Sequence, residues 1–263
     1  MPRPPRSPAP EFPDRYALYE ACVTDGPRLA RFAQAVHGKR PRTLAEHFSG
    51  TGALARAWAA LSPRHRAVAV DSDPEPLTRL ADAPRVTVEV ADVRRSRARA
   101  DVIAATNFPV GYLHERRDLT GYLRHARSRL APGGVFFCDT YGGRDAFTPL
   151  TLVRRVKLGA FHVEQRWEQR EADARTNVVL DALHFRVSRG KVVRRLRDAF
   201  VYRWRLWSIP ELRDAMLEAG FRSVEVHDRL GGAIDGAGKL LVRPMDERDT
   251  LDENWVAYVV ARR

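Results

Sequence analysis

The stretch TLAEHFSGTGALARAWAAL, residues 43–61, limits the possible folds of this chain more than any other feature. A short apolar segment leads into a turn containing Gly50 and Gly52, and an alanine-rich helical pattern follows. The order Gly-x-Gly-x-x-Ala is one form of the fingerprint with which a strand, a glycine turn and a helix bind a nucleotide-like cofactor. Because sites for different cofactors begin with this pattern, the acidic residues around the turn have to decide between them.

Short apolar runs and helical patterns alternate on both sides of this turn. Strand-like runs at TLAEHF, RAVAVDSD, RVTVEVAD, ADVIAATNF and GGVFFCDT are interspersed with the helical segments ALARAWAAL, PEPLTRLADA and RDLTGYLRHARSRL. Apolar runs of this length, combined with helices, predict a parallel sheet covered on both faces. We therefore predict an α/β, Rossmann-like domain whose ligand lies at the carboxyl ends of the strands.

The pattern changes after Gly143. The segments FHVEQRWEQR, RTNVVLDALHFRVSRG and KVVRRLRDAFVYRWRLW alternate with period two, which predicts three antiparallel strands. A helix follows, with Ser208 as its N-cap and Gly220 at its end. The expected organisation is a disordered Pro/Arg tail at 1–14, a helical cap at 15–40, a cofactor-binding domain at 41–143 and 208–263, and a β insertion at 144–207 that serves as a lid or a dimerisation element.

The charge and composition of the chain indicate which binding partners and which cellular location to expect. The net charge of +12 comes from 45 Lys and Arg against 33 Asp and Glu, and the arginines are scattered among the acids. A solvated basic surface is therefore preferred over a polyanion-binding surface. No apolar run approaches the ~18 residues needed to cross a bilayer, and no secretory signal precedes the domain, so a cytoplasmic location is expected. Cys22, Cys138 and the eight histidines lack metal-site spacing, so no metal is expected.

Acidic residues follow three successive predicted strands. Asp71 ends the second strand, 19 residues after Gly52, and suits the hydroxyl groups of a ribose. Glu46 precedes the glycine turn, where its charge would repel a pyrophosphate but attract the ammonium and sulfonium groups of S-adenosylmethionine. Asp92 follows the third strand and is placed to accept a hydrogen bond from an adenine amino group. The three acids therefore predict S-adenosylmethionine rather than NAD as the cofactor.

On these residues the sequence resembles the class I S-adenosylmethionine-dependent methyltransferases of the small-molecule type. Their first motif is acid-x-Gly-x-Gly-x-Gly, and EHFSGTG is similar to it, with Phe48 in place of the first glycine. The resemblance covers roughly residues 40–142 and resumes at 208–262. It implies a mostly parallel seven-stranded sheet with a C-terminal antiparallel hairpin, to which the three-stranded insertion is added.

The resemblance also implies a set of cofactor-binding residues on the loops after the first four strands. These are Glu46, Phe48, Ser49, Gly50, Gly52, Asp71, Ser72, Asp92, Val93, Asn107 and Phe108. The implied activity is transfer of a methyl group from S-adenosylmethionine to nitrogen or oxygen of a small molecule. Phe48 is expected to narrow the space beside the methionine moiety.

The methyl acceptor must approach the sulfonium in line, so the later loops and the insertion should build its pocket. Candidate pocket residues are Tyr141 after the fifth strand, Trp167 and Glu168 on the first insertion strand, and Tyr19 on the N-terminal helix. The last insertion strand places Phe200, Tyr202 and Trp204 on one face. These rings would form either an aromatic pocket wall or the packing between the insertion and the main sheet.

Two alternatives to a small-molecule methyltransferase remain open. An RNA or protein methyltransferase could use the basic surface, although no appended nucleic-acid-binding module is present in the sequence. A non-catalytic cofactor-binding or assembly subunit would account for Phe48 and for the segment TNFPVGYL after the fourth strand, which matches only poorly the Asn/Asp-Pro-Pro-aromatic motif with which adenine amino-methyltransferases hold the acceptor nitrogen. An edge strand of the insertion could also pair across a homodimer.

Overall fold

The computed structural model describes residues 11–236 and 239–263. The chain begins with two helices, α1 (Arg15–Val23) and α2 (Gly26–His37). The Asp14 carboxylate caps α1 by accepting the N–H groups of Tyr16 and Ala17. Phe12 packs on Phe161 with ring centroids 5.1 Å apart, so residues 11–14 contact the body of the protein. The rest of the predicted tail, residues 1–10, lies outside the described residues.

The glycine turn lies within the predicted alternation of strands and helices. The elements are β1 (Thr43–His47), α3 (Ala53–Ala60), β2 (Arg66–Asp71), α4 (Pro74–Leu77), β3 (Val86–Val90), β4 (Ala100–Ala105), α5 (Arg116–Arg129) and β5 (Leu130–Gly143). A 3-10 turn at Val93–Arg95 connects β3 to β4, and a second one, Pro109–Tyr112, follows β4. Loops at the carboxyl ends of β1 to β4 therefore lie beside one another.

The insertion is a four-stranded antiparallel sheet instead of the predicted three strands. Its strands, in spatial order, are β6 (Leu150–Leu158), β7 (Phe161–Asp173), β8 (Val178–Arg189) and β9 (Val192–Arg205). The sequence pattern missed β6 because Arg154 and Arg155 interrupt its alternation. Arg154 reaches α1, where its guanidinium donates to the carbonyl oxygen of Cys22 at 2.7 Å. A charged side chain thus occupies a position where the period-two pattern requires an apolar one.

The chain then returns to the main sheet. The returning elements are α6 (Ile209–Glu218), β10 (Ser223–His227), the short pair β11 (Ala233–Ile234) and β12 (Leu240–Leu241), and β13 (Asn254–Arg262). Ser208 and Glu211 form the predicted capping box at the start of α6. The predicted C-terminal pair is β10 and β13, which run antiparallel to each other.

The main sheet has seven strands in the order β10-β13-β5-β4-β1-β2-β3. The strands from β1 to β5 pair in parallel, and β13 runs antiparallel to both of its neighbours. Buried side chains cover both faces of the sheet, with α5 and α6 on one side and α2 and α3 on the other. The predicted Rossmann-like fold is therefore confirmed, and its strand order reverses between β1 and β4, the place where such folds bind ligands.

Gly52 should tolerate substitution worse than its neighbour Gly50. Gly52 has φ of 68°, and an added Cβ would lie 2.5 Å from Cδ1 of the buried Leu80. We expect Gly52→Ala to lower the free energy of unfolding by about 2–4 kcal/mol, the sum of backbone strain and overpacking. Gly50→Ala is the matched control, because Gly50 has φ of 51° but an added Cβ there meets nothing within 4 Å. Chemical denaturation checks both, and equal losses would exclude a role for the Leu80 contact.

Candidate active site at the carboxyl edge of the sheet

A cavity of about 580 Å³ lies at the carboxyl ends of β1 to β4. It is bounded by the glycine turn, by α1 and by the last insertion strand β9. The predicted site residues that line it are Tyr19, Glu46, Phe48, Ser49, Gly50, Asp71, Ser72, Asp92, Val93 and Asn107. The structure therefore brings ten residues chosen from the sequence to one place, although they come from five separate segments of the chain.

Glu46 lies at the end of β1 and is almost fully buried. Its Oε2 accepts a hydrogen bond of 2.7 Å from the N–H of Ala55, in the first turn of α3. Burial raises the pKa of Glu46 to about 8, against the opposing effect of the α3 amides and of Arg56. A cation bound beside this carboxyl group would favour its charged form and lower the pKa again.

Asp71 connects the end of β2 to the glycine turn. Its Oδ2 accepts a hydrogen bond of 2.7 Å from the N–H of Gly50, and its Oδ1 accepts one of 3.0 Å from the N–H of Asp73. A carboxylate can accept about four hydrogen bonds, so lone pairs remain for hydroxyl groups of a ligand. Asp71 thus shapes the turn and faces the cavity at the same time.

Asp92 lies at the far end of the cavity, after β3. It forms an ion pair with Arg94, with Oδ2 and Nη2 2.6 Å apart. The side-chain hydrogen bonds from Arg94 lower the pKa of Asp92 below its usual value, and burial opposes them. The carboxylate therefore stays charged near neutral pH and can accept a further hydrogen bond from a ligand.

Phe48 occupies the position of the missing glycine in a left-handed conformation, with φ of 54°. Its ring lies against Tyr112 and Tyr122, with centroids 6.4 Å and 5.8 Å away. The side chain thus fills the gap between the glycine turn and the Pro109–Tyr112 helix, where a glycine would leave space.

An aromatic wall closes the other side of the cavity. We use this name for Tyr16, Tyr19, Phe200, Tyr202 and Trp204, all of which line the cavity. The rings of Phe200, Tyr202 and Trp204 stack along β9, with successive centroids 6.3 Å and 4.3 Å apart. Burial raises the pKa values of Tyr19 and Tyr202 far above neutral, so both phenols stay uncharged.

Helix α1 is fastened over the cavity by ion pairs. Asp14 pairs with Arg79, and Arg15 pairs with Glu75 at 2.6 Å. The Arg15 guanidinium also lies over the ring of Tyr16, 4.7 Å from its centroid. Sequence patterns did not single out Arg15, because its ion pair with Glu75 joins residues 60 positions apart in the chain.

Two predicted pocket residues on β7 lie away from the cavity. Trp167 packs behind the aromatic wall, with its ring centroid 6.1 Å from that of Tyr202. Glu168 lies on the outer face of the insertion, where its Oε2 pairs with Nε of Arg170 and Nε2 of His184, each at 2.9 Å. Neighbouring residues of a strand point to opposite faces, so the two could not share one pocket.

Three further predicted residues support the site from behind. The Tyr141 hydroxyl donates to Oδ2 of the buried Asp181 at 3.0 Å. The ring of Phe108 packs against Tyr141 and Trp204, with centroids 4.8 Å and 5.9 Å away. Gly52 faces the buried Leu80. These residues hold the walls of the cavity instead of lining it.

In ranges 11–236 and 239–263, no three His, Cys, Asp or Glu side chains lie close enough together to hold a metal ion. None of the helices in this described part of the chain has the length and apolar character needed to span a bilayer.

A family model described as a methyltransferase domain matches residues 19–226, which include the glycine turn, the three acids and the insertion. The chain belongs to the methyltransferase-domain family. No match was found among curated protein sequences.

Solved structures show the same fold. An S-adenosylmethionine-dependent methyltransferase from Clostridium acetobutylicum superposes with a TM-score of 0.68 at 15% identity, covering 93% of this chain and 96% of that one. A sugar N-methyltransferase from a Streptoalloteichus species gives 0.68 at 16% identity, with 100% and 98% covered. An amino pentose methyltransferase of calicheamicin biosynthesis from Micromonospora echinaspora, solved with S-adenosylmethionine bound, gives 0.67 at 16% identity, with 98% and 100% covered.

Proposed function

We propose that this methyltransferase-domain protein transfers a methyl group from S-adenosylmethionine to the nitrogen of a small amine. Family membership and the fold support the reaction class. Relatives described as a sugar N-methyltransferase and as an amino pentose methyltransferase support an acceptor of small size. When bound, S-adenosylmethionine supplies a methyl group on a positively charged sulfur.

The cavity residues fit such a cofactor. Glu46 would hold its ammonium group, Asp71 its ribose hydroxyls and Asp92 its adenine amino group. Ser49 Oγ is buried in the cavity wall and has no hydrogen-bond partner among the described residues, so a bound ligand would satisfy it. Ser72, Val93 and Asn107 complete this proposed set.

The negative charge of the cavity lining is the observation that supports an amine as the methyl acceptor. Five carboxyl groups line the cavity, those of Glu46, Asp71, Asp73, Asp92 and Asp118, against two guanidinium groups, so the lining is negative even while Glu46 is protonated. The chain as a whole has a net charge of +12, so the cavity is acidic within a basic protein. Low-dielectric walls concentrate this field and attract cations. A cationic cofactor and a cationic amine both match it.

The aromatic wall favours nitrogen over oxygen as the acceptor atom. Ring faces bind an ammonium ion by cation–π contact, which contributes about 0.5–2 kcal/mol. An amine that has lost its proton carries its own nucleophilic lone pair, whereas a hydroxyl needs a positioned base. The phenols of Tyr19 and Tyr202 do not serve as that base at neutral pH, since burial raises their pKa values.

A nucleic-acid acceptor fits this cavity poorly. On the outer face of the insertion, Arg166, Arg186, Arg195 and Arg197 line a second concavity. A polyanion attracted to that face would still have to enter an acidic cavity on the other side of the sheet. The acidic lining therefore supports a small cationic acceptor.

Production of S-adenosylhomocysteine tests the proposal directly. Purified protein is given S-adenosylmethionine and pairs of small acceptors that differ only in carrying an amine or a hydroxyl group. We expect methylation of amines, with Phe200→Leu raising KM for the amine about 2- to 30-fold through the lost ring contact. Val201→Ala, on the outer face of the same strand, is the control and should leave KM unchanged.

Two outcomes would count against this function. A preference for the hydroxyl member of each pair would move the acceptor atom to oxygen. Tight cofactor binding without transfer to any acceptor would favour the non-catalytic alternative.

A further inference from the structure

The loop after β4 contains two successive residues in the left-handed backbone region. Asn107 has φ of 71° and Phe108 has φ of 65°. This region is strained for residues other than glycine, so two such residues in succession require a compensating interaction. The two residues turn the chain from β4 into the short helix Pro109–Tyr112.

Asp139 on β5 provides that interaction. Its Oδ2 accepts a hydrogen bond of 2.8 Å from the N–H of Asn107, and its Oδ1 accepts one of 2.7 Å from the N–H of Phe108. The side chain is 3% exposed, so water does not compete effectively for these bonds. Hydrogen bonds to a charged acceptor are about twice as strong as those between neutral groups, so two of them offset the cost of both left-handed residues.

The loop held in this way forms the part of the cavity wall between the cofactor side and the aromatic wall. Asn107, Pro109 and Tyr112 all line the cavity. The next turn lies tightly against β9, because a Cβ added to Gly111 would lie 2.8 Å from Cβ of Trp204. A change in the backbone at residues 107–108 would therefore shift the acceptor wall relative to the three acids, which lie on other loops.

We propose that Asp139 is a positioning residue for methyl transfer, which holds residues 107–108 in the conformation that aligns the acceptor wall with the cofactor site. The role of Asp139 in methyl transfer rests on the proposed function, whereas its effect on the conformation of the loop does not depend on that function. Asp139 lies behind the loop and acts only through it.

The ionisation of Asp139 makes the effect measurable. Burial raises the pKa of Asp139 to about 7, opposed by the hydrogen bonds from Phe108 and Asn107. The titratable groups that face it are the phenols of Tyr19 and of Tyr258, its partner on β13, and the neighbouring thiol of Cys138. Burial raises all three of their pKa values, so they stay neutral near pH 7. The hydrogen bonds from Asn107 and Phe108 favour the charged form of Asp139. A loop opening that breaks them while the carboxyl group stays buried therefore raises this pKa further, so the loop should loosen as pH falls through 7.

Asp139→Asn tests the proposal, because the amide group keeps one acceptor oxygen and turns a donor towards the second backbone N–H. Asp101→Asn is the matched control. Asp101 also accepts from two successive backbone N–H groups, those of Arg42 at 2.8 Å and Thr43 at 2.9 Å, but at the opposite end of β4. Both variants are measured by hydrogen exchange, by titration with S-adenosylhomocysteine and by methyl transfer.

In Asp139→Asn we expect the amides of residues 106–113 to exchange at least about tenfold faster, as the loss of one charged hydrogen bond requires. The Kd for S-adenosylhomocysteine should change by less than about threefold, because the three acids that would hold the cofactor remain. The value of kcat should fall about 10- to 100-fold, and its rise with pH near 7 should disappear. Asp101→Asn should lower stability without any of these local effects.

Wild-type protein supplies a second test that does not depend on a variant folding. Exchange protection of residues 106–113, corrected for the intrinsic rate, should increase from pH 6 to pH 8. Constant protection over this range, or wild-type protection and kcat in Asp139→Asn, would overturn the proposal. If no acceptor is methylated, the proposed function fails, but the exchange experiments still decide whether Asp139 holds the loop.

Discussion

Glu46→Gln is expected to bind S-adenosylmethionine about 10- to 100-fold more weakly than wild type, because a charge-assisted hydrogen bond to the ammonium group is lost. The same change should raise the stability of the unliganded protein at pH 8. The carboxyl group of Glu46 is buried, and the residues nearest to it supply backbone N–H groups and no neutralising ion pair. Glutamine keeps an acceptor oxygen for the N–H of Ala55 and introduces no charge.

The pH dependence of this stabilisation has a definite sign. The pKa of Glu46 is about 8 in the folded protein, and its ordinary value is 4.5. Between these values the folded state retains a proton that the unfolded state releases, so wild-type stability falls as pH rises. Glutamine does not titrate, and its advantage should grow from pH 5 to pH 8 to a few kcal/mol, at about 1.4 kcal/mol per pKa unit.

Thermal unfolding at pH 5 and pH 8, together with calorimetric titration, checks both effects. Glu225→Gln is the control, since Glu225 pairs with Arg262 at 2.9 Å and this ion pair lowers its pKa. That variant should lose stability and keep cofactor affinity. Wild-type affinity in Glu46→Gln would refute contact between Glu46 and the cofactor ammonium.

Asp71→Ala is expected to weaken binding of S-adenosylmethionine and S-adenosylhomocysteine at least about 100-fold, since two hydrogen bonds to a charged acceptor disappear. The substitution removes the proposed acceptor of the ribose hydroxyls. It also removes the acceptor of the Gly50 N–H, which helps to hold the glycine turn. The loss of the ribose acceptor and the loss of the bond to Gly50 both weaken binding of the cofactor. We therefore expect this substitution to change cofactor affinity more than any other in the cavity.

Calorimetric titration with the two adenosyl ligands and with NAD measures the effect, and circular dichroism verifies folding. Asp73→Ala is the control, because Asp73 also lines the cavity but its Oδ1 accepts the N–H of Glu75 at the start of α4. That variant should lose about 1 kcal/mol of stability from the missing cap and keep its affinity within about threefold. Micromolar binding of NAD by the wild type, or undiminished adenosyl binding by Asp71→Ala, would contradict the cofactor assignment.

Local pattern was sufficient for the architecture of the main domain. Apolar runs alternating with helices predicted the parallel sheet, and the acids at the strand ends predicted the residues that line the cavity. Both predictions use residues that are only a few positions apart in the sequence. Over such short separations the backbone geometry determines which way each side chain points. Strand β6 was not predicted, because Arg154 interrupts its apolar alternation. Arg154 instead bonds to Cys22 on α1, which is 132 residues away in the sequence.

The sequence by itself determined the Rossmann-like fold, the glycine turn and the acids Glu46, Asp71 and Asp92. Only the tertiary structure decided that Trp167 packs behind the wall while Glu168 faces outwards, because the choice of face depends on which side of the insertion meets the main domain. It alone showed that Asp139 reaches back to the loop after β4. The reason is physical: hydrogen bonds and packing between distant segments depend on the relative placement of whole elements, and no local periodicity records that placement.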